Sequence, residues 1–348
     1  MDINICLEEF IIFKMVFKIE KIETIDEPKI RNIFNFLCEN VETPQLTPLG
    51  KPRKNADGSL KKNLRSVELK EEILENTKMY FFEKYPDLEN RGFNLNCIEF
   101  DIGKTVAKKI LKKYKSNIEK SIIGNNYELM DFDLVSELGK GQNKIMLEKS
   151  ENIYNLTKIK ELIEDSNTAS SRINYKLLDF YIIYIELNGK SFYFFEKYES
   201  SMRLDKSRIL KFLSSKKEKK FNQVKEKEEH FYLKYDMPCF LFENEMFILS
   251  KSKFETIFDY ETHYREICNR PENKSFINEI DCFENMEEVY SILKEKNINE
   301  VRRFANLMNH KYEVKKLLSD EHVMSTEQFL RSYGVHSISF NTQGKIIV

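Results

Sequence analysis

LLDFYIIYIELNGKSFYFFEKY, residues 177–198, decides how the fold is read. Phe180 to Leu187 and Ser191 to Tyr198 are apolar, aromatic and β-branched, the side chains that suit a pleated, packed surface. Between them stands Asn188-Gly189, and both residues tolerate the positive φ that a two-residue type I′ turn demands. The stretch therefore predicts a β-hairpin. Towards the C-terminus, Cys239 to Phe242 and Met246 to Leu249 repeat the theme across Glu243, Asn244 and Glu245. Ser252-Lys253-Phe254-Glu255 has the spacing of a capping box and opens a helix whose inner side is Phe254, Ile257, Phe258 and Tyr264. Further helices are expected over Glu284 to Lys296, Glu300 to Met308 and Thr326 to Tyr333, the last closed by Gly334. Strands over Val335 to Phe340 and Lys345 to Val348 end the chain.

Towards the N-terminus the pattern predicts a short strand through Val16, Ile19 and Ile22. A helix over Pro28 to Cys38 follows, with Ile30, Ile33, Phe34 and Leu37 on one face. Thr43 to Arg65 holds three prolines, two glycines and few apolar residues, and reads as a long exposed loop. Then come a helix from Val67 to Tyr85 with Ile73, Leu74, Tyr80 and Phe81 inside, and a strand over Leu95 to Phe100. The next helix, Thr105 to Ile118, has Val106, Ile110, Leu111 and Tyr114 as its stripe. Tyr127 to Val135 and Lys144 to Leu147 read as strands. Grouped strand pairs and grouped helices argue α+β. The polar run Asn152 to Ser171 separates two halves, 1–165 with the basic Pro-rich loop at 43–65, and 173–348.

The 348 residues are 41% hydrophobic and 32% charged, the composition of a globular chain. The longest apolar stretch, Phe10 to Phe17, is far short of the ~20 residues of a spanning helix. Glu8 and Glu9 precede it in place of a basic leader, so a cytoplasmic location is expected. The six cysteines are dispersed and read as free thiols. No HExxH or paired CxxC is present, and no metal or cofactor is expected. The five histidines are isolated, His263 having only Asp259 four residues earlier. Gly139-Lys140-Gly141-Gln142-Asn143-Lys144 lacks both phosphate-loop patterns and reads as a turn. Glu99, Asp101 and Lys104, after the Leu95 strand, have the types of a metal-dependent nuclease but at a spacing too common to identify one.

Charge is sorted along the chain. The formal net charge is −1. Arg203 to Lys227 nevertheless carries ten basic residues against three acids, Lys51 to Arg65 six against one, and Asp101 to Lys120 seven against two. Glu243 to Glu288 carries twelve acids against five basics. Such sorting offers one basic face to a polyanion. The candidate nucleic-acid-binding residues are Lys104, Lys108, Lys109, Lys112 and Lys113, assisted by Lys211, Lys216, Lys217, Lys219 and Lys220. Lysine outnumbers arginine, which favours sequence-independent phosphate contact over bidentate base reading.

Leu177 to Tyr184, Asn188-Gly189-Lys190, Phe192 to Phe195, Met246 to Leu249 and Phe254 to Tyr260, with Arg302-Arg303-Phe304, Phe329 to Gly334 and Gly344 to Ile347, resemble the domain typical of KwaB, the soluble subunit of the Kiwa antiphage defence system. The resemblance runs from about residue 173 to the C-terminus. It implies a cytosolic bacterial defence protein that binds DNA without hydrolysing it, beside a membrane-spanning partner at the inner face of the membrane, with homodimerisation an expectation. The rival expectation is a scaffold whose basic faces meet acidic lipid headgroups or an acidic protein partner.

Overall fold

The computed structural model describes residues 19, 21–45, 47–86, 93–100, 102–124, 127–132, 144–166, 174, 176–199, 210–214, 219–223, 233, 235–273, 301–302, 305, 308–309, 311–312, 339–340 and 346–347. The helices among them are α1 (Pro28–Leu37), α2 (Glu71–Glu75), α3 (Gly103–Ile118), α4 (Leu156–Glu164), α5 (Lys251–Ile257) and α6 (Tyr260–Asn269). The strands are β1 (Cys38–Pro44), β2 (Lys62–Leu69), β3 (Thr77–Pro86), β4 (Phe93–Phe100), β5 (Glu128–Asp131), β6 (Lys144–Lys149), β7 (Leu178–Leu187), β8 (Lys190–Lys197), β9 (Leu210–Ser214), β10 (Lys219–Gln223), β11 (Cys239–Phe242), β12 (Glu245–Ile248), β13 (Ser339–Phe340) and β14 (Ile346–Ile347). The class is α+β, as expected. The chain forms two compact units. Unit 1 comprises Met1–Glu83, Asn96–Glu128 and Ser166–Glu243, and unit 2 comprises Lys84–Leu95, Leu129–Asp165 and Asn244–Val348.

In unit 1 the hairpin is present as expected. β7 and β8 pair antiparallel from Phe180↔Lys197 to Leu187↔Lys190, and Asn188 and Gly189 take φ of 53° and 73°, the I′ geometry. The hairpin extends on both sides, giving the order β4-β3-β7-β8-β11. Phe192 and Phe194 share one face of β8, against which two helices pack. Phe36 of α1 lies 6.1 Å from Phe192 and 5.3 Å from Phe242, while Tyr114 of α3 stacks on Phe194 at 4.3 Å. All of these rings are buried, so truncating Phe194 to Ala would cost about 3–5 kcal/mol. Buried acids are paired: Glu196 accepts from the Met237 amide at 2.8 Å, and Glu83 accepts from Asn96 Nδ2 at 3.1 Å and from the Asn174 amide.

Three segments of this unit differ from expectation. Val67 to Tyr85 is the end of β2, one short helix and β3. Ile73 and Leu74 do lie inside, on α2, but Tyr80 and Phe81 belong to a strand that pairs with β7, Met79↔Ile183 and Phe81↔Tyr181. Their spacing of seven and eight from Ile73 also fits a helix, and the aromatic run Tyr80-Phe81-Phe82 joins the sheet because burial there is nearly complete. Thr43 to Arg65 is not irregular: it is a β-ribbon, with β1 and β2 in register from Cys38↔Leu69 to Thr43↔Leu64 and a shift at Pro44↔Lys62. Ile22–Thr24 forms a 3₁₀ turn in place of the end of the expected strand.

In unit 2 the order is β12-β6-β5, with β12 and β6 antiparallel. Phe254, Phe132 and Tyr260 form a ring cluster, Phe132 lying 5.4 Å from Phe254 and 5.8 Å from Tyr260. The expected capping box does not form: α5 starts at Lys251 after Ser250 and has no side-chain cap. Glu255 turns inward, accepting from Tyr264 Oη at 2.7 Å and from the Arg302 guanidinium. β13 and β14 pair antiparallel, in accord with the expected closing strands. The expected helices Glu284 to Lys296 and Thr326 to Tyr333 lie outside the described residues.

Candidate nucleic-acid interface

The helix α3 buries Ala107, Ile110, Leu111, Tyr114 and Ile118, a stripe at helical spacing. Val106, expected inside, is 44% exposed, and Ala107 takes its place. With that face fixed, Lys104, Lys108, Lys109, Lys112 and Lys113 are all exposed, but they divide into two electrostatic classes.

One flank meets α2. Lys104 Nζ lies 2.8 Å from Glu71 Oε2 and 3.0 Å from Glu75 Oε1, and Lys108 Nζ lies 3.5 Å from Glu71 Oε1. The Lys104 hydrogen bond and charge hold the Glu71 carboxyl below its ordinary value, and Glu71 and Glu75 in turn raise Lys104. Lys115 pairs with Glu119 at 2.7 Å. Lys109, Lys112 and Lys113 form no ion pair among the described residues. Lys120, one turn beyond, is also exposed.

The second expected cluster falls on a separate ribbon. β9 and β10 pair with Lys220 opposite Leu213, Lys219 opposite Ser214 and Lys211 opposite Asn222. Lys216 and Lys217 lie outside the described residues. Phe212 is opposite Phe221 in this ribbon. Every expected site residue belongs to unit 1, which holds 35 basic and 30 acidic residues, against 21 and 27 in unit 2. The sorting of charge along the chain thus follows the division into units.

Further cations stand in the stretch Lys51 to Arg65, which the sequence already marks as basic and which joins β1 to β2. Lys51, Arg53, Lys54 and Lys61 are exposed there and form no ion pair among the described residues. The only acid between Lys51 and Arg65, Asp57, accepts from the Ser59 amide at 2.9 Å and is thereby occupied.

The alternative chemistries have their residues engaged elsewhere. Glu99 accepts from Tyr80 Oη at 3.1 Å and pairs with Lys78 at 3.1 Å; Lys104 is held by α2, and Asp101 lies outside the described residues. The Asp259 carboxylate binds Lys84 at 3.1 Å, and His263 packs against Tyr154 at 4.5 Å, its pKa lowered by burial. Burial pushes the thiols of Cys38, Cys97 and Cys268 to about 12 and raises Cys239 well above its ordinary value, so these four are poor nucleophiles. Among the described residues no group of three or more His, Cys, Asp or Glu is placed to hold a metal, and no helix is long and apolar enough to cross a membrane. The glycine pair at 139 and 141 lies outside the described residues.

Comparison with known proteins adds one match. The family model described as Kiwa protein KwaB-like matches residues 175–348. That range includes the hairpin, the β9–β10 ribbon and all strands after it, whereas α3 and the β1–β2 ribbon precede it. No curated protein and no solved structure matches the chain.

Proposed function

We propose, from the premise that this chain belongs to the KwaB-like family of Kiwa proteins, that it is a DNA-binding, non-enzymatic component of bacterial antiphage defence. The contact is with phosphates and is largely independent of sequence. One observation carries the reading: α3 presents Lys109, Lys112 and Lys113 to solvent, free of ion pairs among the described residues, in a unit with an excess of basic charge. An exposed lysine is a strongly hydrated point charge that reaches a phosphate without giving up an internal partner. Neutralising phosphates releases condensed counterions, which drives non-specific binding. Lys104 and Lys108 join only by exchanging α2 carboxylates for phosphates. In this reading the protein works in the cytoplasm beside a membrane-spanning partner and self-associates as a homodimer.

The test is fluorescence anisotropy of the Lys109→Glu, Lys112→Glu, Lys113→Glu variant on a random-sequence duplex at moderate salt, with the DNA recovered after incubation with Mg²⁺ or Mn²⁺. Strongly weakened binding and intact DNA are expected. Unchanged affinity would remove α3 from the interface, and shortened DNA would replace the non-enzymatic reading with a nuclease.

A further inference from the structure

The β1–β2 ribbon ends in an ordered tip. The chain turns at Thr47-Pro48-Leu49-Gly50 and again at Asn55-Ala56-Asp57-Gly58. Each turn is built alike: the Gly50 amide donates to the Thr47 carbonyl at 2.8 Å and the Thr47 amide to the Lys51 carbonyl at 2.7 Å. Likewise the Gly58 amide donates to the Asn55 carbonyl at 3.0 Å, and the Asn55 amide to the Ser59 carbonyl at 2.8 Å. Gly50 and Gly58 take φ of 75° and 84°, as a tight turn followed by a left-handed bulge requires. The returning segment is tied on both sides, Arg53 donating to Gln45 at 2.7 Å and accepting from Lys61 at 2.8 Å. The tip is therefore a small hydrogen-bonded meander. No described side chain between Gln45 and Lys61 is buried.

Leu49 is 86% exposed at the first turn, where a leucine has no folding role to fulfil, and the exposed Lys51, Arg53, Lys54 and Lys61 follow it on the same tip. We infer that this arm is a duplex-DNA element: its cations lie along the phosphates and Leu49, stiffened by Pro48, wedges between base pairs from the minor groove. The inference rests on the DNA-binding reading above and adds to it a bending activity. Apolar wedges at the tips of basic elements kink duplexes by ~20–90° because a bent helix meets more protein surface. Strands ~4.8 Å apart make a tip narrow enough for a groove opened by such a kink. A lipid surface is a poorer occupant, since bilayer-binding elements bury a broad apolar face rich in aromatic residues and no aromatic residue occurs between Gln45 and Lys61.

The experiment is energy transfer between dyes at the two ends of a duplex of about 30 base pairs, with salt titrations of affinity, for the full chain and two variants whose far-UV spectra match it. The full chain is expected to shorten the end-to-end distance. Leu49→Ala is expected to bind with an unchanged salt slope and leave the duplex straight. The variant Lys51→Ala, Arg53→Ala, Lys54→Ala, Lys61→Ala is expected to flatten the slope by about 3 to 4, at ~0.9 per phosphate. Binding without bending, bending that survives Leu49→Ala, or a slope untouched by the four alanines would each overturn the arm and leave the DNA-binding reading in place. Failure of the full chain to bind duplex at low salt would overturn both. Phosphatidylserine vesicles that capture the full chain but not Leu49→Ala, with the duplex left straight, would assign the arm to lipid and overturn the inference.

Discussion

Replacing Glu71 and Glu75 by Gln should strengthen DNA binding although neither residue touches DNA. Both carboxylates hold Lys104, and Glu71 also reaches Lys108. While those contacts persist, a phosphate must displace a carboxylate to recruit either lysine. The double substitution keeps the length and helix propensity of α2 and frees two ammonium groups on the helix that already presents Lys109, Lys112 and Lys113. Two further phosphate contacts at ~0.9 each steepen log K against log [salt] by about 1.8. Between 50 and 200 mM salt the variant should therefore lose roughly tenfold more affinity than the parent, starting from tighter binding at the low-salt end. Glu72→Gln, at an exposed position of the same helix, is the control: its hydrogen bond with Asn76 is accepted by its backbone carbonyl, so it removes a charge without freeing Lys104. Anisotropy titrations of the three proteins against one duplex decide the matter. Equal slopes for parent and double variant, or the same gain from Glu72→Gln alone, would refute the division of α3 into a neutralised and a free flank.

Three other outcomes follow from the buried groups. Arg302→Ala leaves the Glu255 carboxylate, 7% exposed, without its guanidinium partner, and should destabilise unit 2 by about 3–5 kcal/mol in urea unfolding, far more than Arg265→Ala at an exposed pair. Iodoacetamide at pH 8 should leave Cys38 and Cys268, each pushed to about 12 by burial, unmodified in the folded protein, as peptide mapping by mass spectrometry would show; rapid labelling would mean these sites open. His263 has its pKa lowered, chiefly by burial, so the unfolded chain binds its proton first, and stability contributed by the neutral ring is lost as pH falls below about 6.5. His263→Phe, which keeps the ring against Tyr154, should lessen the fall in melting temperature from pH 7 to pH 5, and an unchanged fall would remove His263 as its source.

The hairpin and the α+β class were legible because Asn188-Gly189 encodes its turn locally and the flanking runs leave no other period. The β3 segment was not, since Ile73, Leu74, Tyr80 and Phe81 satisfy a helical spacing, and only pairing with β7 decides between the two readings. In Thr43 to Arg65 prolines and glycines signal turns but not the cross-strand bonds that make a ribbon of them. The basic character of α3 was evident in the sequence. Its division was not, because Glu71 and Glu75 lie some thirty residues away and reach Lys104 only through packing of α2 on α3. Alanine at 107 also misled, being a weak hydrophobic signal at a position that is in fact fully buried.

The most direct test of the central claim is the salt dependence of affinity of the full chain for a random-sequence duplex, with the DNA recovered and sized afterwards. The three free lysines of α3 alone require a linear decline of log K with log [salt] of slope about −2.7 or steeper, on DNA of unchanged length. A flat dependence, or no binding at low salt, would contradict a phosphate-contacting role for this protein.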